Sequence, residues 1–238
     1  MNYREVYDIA MPMSKREAES KNYWVVYVVR PLSVWLTIPF VNTTVKPTTI
    51  TLVSVYVSLI GFFLLAFGNS MLVSLLGWLF FFLWAVLDGV DGNLARCQKS
   101  CSKQGELWDA FGGYTTLVLI YMAVGIAAFY DDNIIRLFDN YWCLILGGLT
   151  SVLSIFPRLI LQKKKAIEGE TKSVKSLAEK KDFGLVQTIA LNLLSCSGAM
   201  QVVVLLAILT HTLNLFILLY FVLNFGMTAL SLKRMLND

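Results

Sequence analysis

The sequence turns on Asp88–Gly113, DGVDGNLARCQKSCSKQGELWDAFGG. A long apolar run, Met71–Leu87, stops at its first residue, and another starts near Leu107. Between them stand Asp88, Asp91 and Asp109, with Gly92, Ala95, Arg96 and Gly105 at fixed intervals. Carboxylates are costly at the end of a membrane-type helix, so they mark a candidate functional site by default. The plainer reading is a solvated helix end. It accounts for one Asp but not for the whole spacing.

Outward from this stretch the chain reads as an all-α, polytopic membrane protein. Hydrophobic residues make up 57% and charged residues 15% of its 238 positions, against roughly 45–50% and about 25% in soluble domains. Spans are expected at Ile50–Phe67, Met71–Leu87, Leu107–Tyr130, Tyr141–Leu161, within Phe183–Thr210, and at Thr212–Leu232. The first of these is long enough for a ~30 Å hydrocarbon layer with some help from its flanks. Pro47 suits the first turn of the first span, with Thr44 as a candidate cap. Residues 45–238 are thus expected to form a six-helix membrane domain, and residues 1–44 a cytosolic N-terminus with an interfacial helix.

Within residues 1–44, Met1–Lys21 is charged and is expected to be solvated. Its pattern is not the basic-then-apolar one of a cleavable signal. Tyr23–Val41 is aromatic and is interrupted by Arg30, Pro31 and Pro39. That break favours an amphipathic segment lying in the membrane interface over a seventh span. Lys and Arg number six before the first span, three between the second and third, eight from Arg158 to the fifth, and two in the tail. The opposite loops hold only Arg136. The positive-inside rule therefore places the Asp stretch in the cytoplasm, whichever way Tyr23–Val41 lies.

The cysteines supply no framework. Cys97 and Cys101 are a lone CxxxC pair, Cys143 and Cys196 stand apart, and His211, the only histidine, is distant in sequence. Cytosolic thiols stay reduced, and this spacing is not that of a zinc site. The net charge of +4 is small, and no nucleic-acid partner is expected.

The Asp stretch carries the chemistry. On a helix, Asp88 and Asp91 share a face. Gly92 and Ala95 extend that face with almost no side chain, so a phosphorylated ligand can approach the backbone. Arg96 offers a planar, permanently charged fork for phosphate. Gly105 opens the next helix, and Asp109 faces back toward the first pair. Three hard oxygen ligands without His or Cys suit Mg²⁺ or Mn²⁺. Carboxylate, metal and phosphate together imply phosphoryl or phosphate-ester transfer. A transporter fits poorly, because the Asp cluster sits at one face and not at mid-depth.

The spacing Asp88-x2-Asp91-Gly92-x2-Ala95-Arg96-x8-Gly105-x3-Asp109 resembles the signature of the CDP-alcohol phosphotransferase family. Seven of the eight signature positions match over 26 residues. The stretch KPTTIT resembles the family's PN-x-x-T start to its first span, with Thr48 in place of Asn. The resemblance implies a membrane enzyme that passes a phospho-alcohol or phosphatidyl group from a CDP-activated donor, CDP-diacylglycerol included, to a hydroxyl acceptor and releases CMP. It implies that Asp88, Asp91 and Asp109 bind the divalent metal, that Gly92, Ala95, Arg96 and Gly105 shape the CDP site, and that the protein is a homodimer.

The eighth position departs. The family has a further Asp four residues after Asp109, as metal ligand and general base, and here that residue is Gly113. Glu106 shares nearly the same helical stripe but sits ~10 Å away along the axis. It is a candidate substitute base or simply a favourable charge at a helix start. Asp109 in a double role, Tyr114, a carboxylate from elsewhere, or a base on the acceptor are the other candidates. Arg158, Lys163 and Lys164 are candidate acceptor contacts. Against that stand a snorkelling role for Arg158 and topology or anionic-lipid roles for the lysines. A non-catalytic relative that binds CDP-alcohol or lipid is the rival reading.

Overall fold

The computed structural model describes residues 1–135, 137–168 and 192–237, and every regular element among the described residues is a helix. The helices are α1 (Tyr3–Ala10), α2 (Met13–Glu19), α3 (Val25–Val41), α4 (Pro47–Phe67), α5 (Met71–Cys97), α6 (Lys103–Tyr130), α7 (Tyr141–Glu168), α8 (Met200–Leu209) and α9 (Leu213–Asn237). Five of them (α4, α5, α6, α7 and α9) are long and apolar enough to cross a membrane. The protein is therefore an all-α integral membrane protein. Helices α3 and α8 are apolar but shorter. Of the expected fifth span, residues 183–191 lie outside the described residues, as do Arg136 and most of the basic connector Gln162–Asp182.

The sequence explains where these helices begin and end. Helix α4 starts at Pro47, where a missing N–H costs nothing. Thr44 does not cap it, because the capping position falls at Lys46. Helix α5 runs unbroken from the apolar span through Asp88, Asp91 and Arg96 to Cys97. It closes in a Schellman turn, in which Ser100 N–H donates to the Ala95 carbonyl at 2.9 Å and Lys99 N–H to that of Arg96 at 3.2 Å. Lys99 takes the left-handed conformation there, with φ 53°, a place that glycine usually fills. Ser102 begins α6 by accepting the Gly105 N–H on its hydroxyl at 3.0 Å.

The chain forms two compact units. The first comprises Met1–Ile60, Leu79–Thr116 and Phe183–Gln201; the second comprises Gly61–Trp78, Leu117–Asp182 and Val202–Asp238.

In the first unit most of Met1–Lys21 is exposed, as its charged composition leads one to expect, but one face of it packs. Asn2 and Glu5 form a reciprocal capping box at the start of α1. Val6 and Ala10, one helical turn apart, are then fully buried as α1 packs against α3. Nor does the chain break at Arg30–Pro31. The turn Val25–Val29 widens to π geometry, with Arg30 N–H donating to the Val25 carbonyl, and the α-helix continues over Arg30–Val41. A wide turn lets the helix absorb a proline ring that would otherwise clash one turn back. Below α3, Ile50, Val90 and Leu94 form a buried cluster against Leu36, Phe40 and Leu87. Asn192 ties down the linker before α3: its amide donates to the Lys21 carbonyl at 2.5 Å and accepts Tyr23 N–H at 3.2 Å.

In the second unit, small residues let helices touch. A Cβ on Gly125 of α6 would stand 2.8 Å from the Gly147 Cα of α7. Such close approach supplies packing where lipid provides no hydrophobic drive. Helix α7 also runs along α9, and Thr228 donates to the Leu153 carbonyl at 2.9 Å. His211 Nδ1 lies 2.7 Å from Asp131 Oδ1, on the wall of a cavity of ≈ 600 Å³.

Candidate active site

The Asp stretch lies wholly in the first unit. Asp91 on α5 is 4% exposed. Its Oδ2 accepts a 2.5 Å hydrogen bond from the Thr51 hydroxyl on α4. Asp88, one turn earlier, is half-buried, and Asp109 on α6 is exposed. Asp88 lies within the electrostatic field of Asp91, Asp109, Arg30 and Lys15, and Asp109 lies in that of Lys15, Arg96 and Arg30. Sequence spacing therefore identified three carboxylates that do sense one another. Among the described residues, however, no three His, Cys, Asp or Glu side chains converge as a ready-made metal cage.

The small residues divide into packers and openings. A Cβ on Gly89 would come 2.7 Å from that of Ser33, so this glycine lets α3 dock. A Cβ on Gly92 would meet the Arg96 guanidinium at 3.4 Å, so Arg96 leans over the bare surface that Gly92 leaves. Ala95 is half-buried beside it. Gly105 serves the start of α6, where its N–H meets Ser102. The Gly112–Gly113 pair splits in role. A Cβ on Gly112 would come 3.4 Å from the methyls of Thr51 and Val55, whereas one on Gly113 would meet nothing within 4 Å.

Asn93, buried on α5, links the strap of N-terminal helices to the motif. Its amide donates to Ser33 and Thr37 hydroxyls of α3 at 3.3 and 3.4 Å, and its carbonyl accepts Arg96 Nη2–H at 3.0 Å. The Nε of Arg96 is buried without a hydrogen-bond partner. On α3, Arg30 grips Glu19 of α2 through two bonds of 2.6 and 2.5 Å. Lys15 of α2 is only 25% exposed, and its ion pair with Glu19 is 3.8 Å long. Burial, with Arg30 and Arg96 nearby, pulls the Lys15 ammonium down to about 8, against the opposing influence of Glu19 and Asp88.

A family model for CDP-alcohol phosphatidyltransferases matches residues 44–214, well over half of the chain and the whole Asp stretch with it. The chain belongs to the CDP-alcohol phosphatidyltransferase family. No curated protein matches it. Membership implies a membrane phosphotransferase of lipid synthesis, with a CDP-alcohol donor and a hydroxyl acceptor.

For a family member, the remaining expected residues are placed unevenly. Glu106 is exposed in the first turn of α6, where a negative charge is favourable for the helix. Arg158 is half-buried and Lys163 exposed, both on α7 in the second unit. The Lys164 side chain lies outside the described residues. Sequence reasoning passed over four groups that touch or approach the site. Thr51 was visible as the Thr of KPTTIT, and its contact with Asp91 supplies the physical reason for that position. Asn93, Arg30 and Lys15 had no local signal, because their roles arise from docking α2 and α3 onto α5.

Proposed function

We propose that this protein is an integral-membrane phosphotransferase that moves a phospho-alcohol or phosphatidyl group from a CDP-activated donor to a hydroxyl acceptor. The observation that carries the reading is buried Asp91, held by Thr51 on the motif face of α5, inside the matched family region. In the reaction, the acceptor oxygen attacks the phosphorus distal to cytidine. The bond between that phosphorus and the bridging oxygen breaks, CMP leaves, and the hydroxyl proton passes to a base.

Asp88, Asp91 and Asp109 would hold Mg²⁺ or Mn²⁺. The donor set fits: three hard oxygen groups, and no Lys or Arg within ion-pair distance of any of them among the described residues. A divalent cation bound there would neutralise the diphosphate and stabilise departing CMP. Thr51 fixes the orientation of the Asp91 carboxylate, so that its other oxygen stays available. Gly92 and Ala95 keep the helix face clear for the nucleotide, Arg96 offers its fork to phosphate, and Gly105 sets the turn into α6. Asp109 is the nearest proton acceptor on α6, with Glu106 a turn before it. The acceptor enters beside Gly113, where a Cβ would meet nothing within 4 Å. The scaffold is a homodimer of six-span chains with the site facing the cytoplasm and α3 lying in the membrane interface.

Purified protein supplied with Mn²⁺ and labelled CDP-diacylglycerol or soluble CDP-alcohols is expected to release CMP, and Asp91→Asn and Asp109→Asn to stop the release. Full activity in both variants would falsify the metal-ligand assignment. Gly113 favours a second reading, a non-catalytic relative that binds CDP-alcohol or lipid. Tight CDP binding without turnover across a broad acceptor panel is the result that selects it.

A further inference from the structure

Lys15 lies outside the family motif and outside the matched region, yet the fold carries it to the motif face. A half-buried ammonium calls for a counter-charge. Its nearest carboxylate, Glu19, is 3.8 Å away and already engaged by both arms of the Arg30 fork. On the facing helix, Arg96 has a buried Nε–H with no acceptor and satisfies Nη2 only on the neutral amide of Asn93. Lys15, Arg30 and Arg96 lie close enough that each guanidinium disfavours the ammonium's charge. Three cations from three separate helices thus gather near Glu19, the one carboxylate within ion-pair distance of Lys15 and Arg30 among the described residues. The aspartates nearby do not quench this excess once they hold metal, as the phosphotransferase reading requires.

Resting on that reading, we propose that the N-terminal strap delivers Lys15 to form, with Arg96, an anion pocket for a phosphate group borne by a substrate. The Arg30–Glu19 pair is the brace: it joins α3 to α2 and holds Lys15 at the pocket edge. A phosphate there accepts the orphaned Arg96 Nε–H and the Lys15 N–H groups together, as charge-assisted bonds. Two substrates can supply this group, the diphosphate of the CDP donor or a phosphomonoester on the acceptor. Both have the same chemistry at the pocket. Because Lys15 precedes the matched region, its presence gives this chain a phosphate contact that the motif alone does not encode.

The test uses the full-length protein in nanodiscs of zwitterionic lipid, with Mn²⁺, and calorimetric titration of CDP, inorganic phosphate and cytidine. Lys15→Gln is expected to weaken a phosphate-bearing probe by about 10-fold or more, the scale of a lost charged hydrogen bond. Cytidine and Mn²⁺ affinities stay unchanged, and Lys15→Arg retains binding within about three-fold. Loss of CDP affinity, with phosphate competing against CDP, assigns the pocket to the donor. Phosphate binding alongside CDP, and weakened alone, assigns it to the acceptor. Unchanged CDP and phosphate binding in Lys15→Gln overturns the pocket, and so does an equal loss for cytidine. Equal loss in Lys15→Arg, with normal thermal unfolding, also overturns it. Lys15-dependent phosphate binding in a protein that releases no CMP from any donor would sink the phosphotransferase reading and leave the pocket standing. Normal turnover and KM in Lys15→Gln would do the reverse.

Discussion

Asp91 is buried and Lys15 half-buried, their charges have different supports, and each makes a prediction. Thr51→Val removes the hydroxyl that meets Asp91 at 2.5 Å while keeping the side-chain shape. A hydrogen bond to a charged group contributes about 1.5–3 kcal/mol, so CMP release is expected to fall about 10- to 100-fold, measured with the labelled donor. Gly113→Asp places a carboxylate where a Cβ has nothing within 4 Å. It is expected to fold as well as the parent, and to raise CMP release about 10-fold or more by supplying a base. A drop in both stability and activity would show that the open space is needed. Lys15 is held at about 8 by burial and by neighbouring guanidinium groups, below the unfolded value of about 10.4. Between those values the folded metal-free chain binds fewer protons than the unfolded one, so this group makes stability rise with pH across that window. Below pH 8 the cost of the charge is present in full. Lys15→Gln is therefore expected to melt a few degrees higher than the parent at pH 7, with the difference closing toward pH 10. A parent that melts higher at pH 7 contradicts the environment assigned to Lys15.

At the scale of single helices, the junction between α5 and α6 holds a small strain. Lys99 occupies a left-handed position at φ 53°, which costs a side-chain-bearing residue roughly 1–2 kcal/mol. Lys99→Gly is expected to raise stability by about 1 kcal/mol in thermal or denaturant unfolding without altering CMP release. Much at this scale was legible beforehand. Continuous apolar runs bounded by Gly, Pro or charge located α4 to α7 and α9, because a segment crossing lipid must satisfy its backbone internally. Asp88 and Asp91 were correctly read as sharing a helix, since i, i+3 spacing is a property of the helix itself. One local reading failed. The Arg30–Pro31 break disappears into a π turn, a backbone choice that depends on what α3 packs against. Met1–Lys21 is mostly exposed, as its charge suggests, and the Val6, Ala10 spacing gives α1 one packed face.

For the molecule as a whole, topology is the property most open to direct test. Cys101 is exposed, Cys97 half-buried, and Cys143 and Cys196 buried. A membrane-impermeant maleimide is therefore expected to label Cys101 in inside-out vesicles and not in right-side-out ones. The opposite pattern contradicts a cytoplasmic Asp site. What the sequence determined by itself was membrane residence, helical class and family, and it raised the expectation of a cytoplasmic Asp stretch. These follow from composition, periodicity and fixed spacing, which are local properties of the chain. Only the tertiary structure decided that Thr51 braces Asp91 and that Asn93 orients Arg96. It also separated the packed Gly112 from the open Gly113, and it brought Lys15 and Arg30 to the motif face. Those relations join residues tens of positions apart. Their energetics depend on which surfaces are buried together, and that information no window of sequence contains.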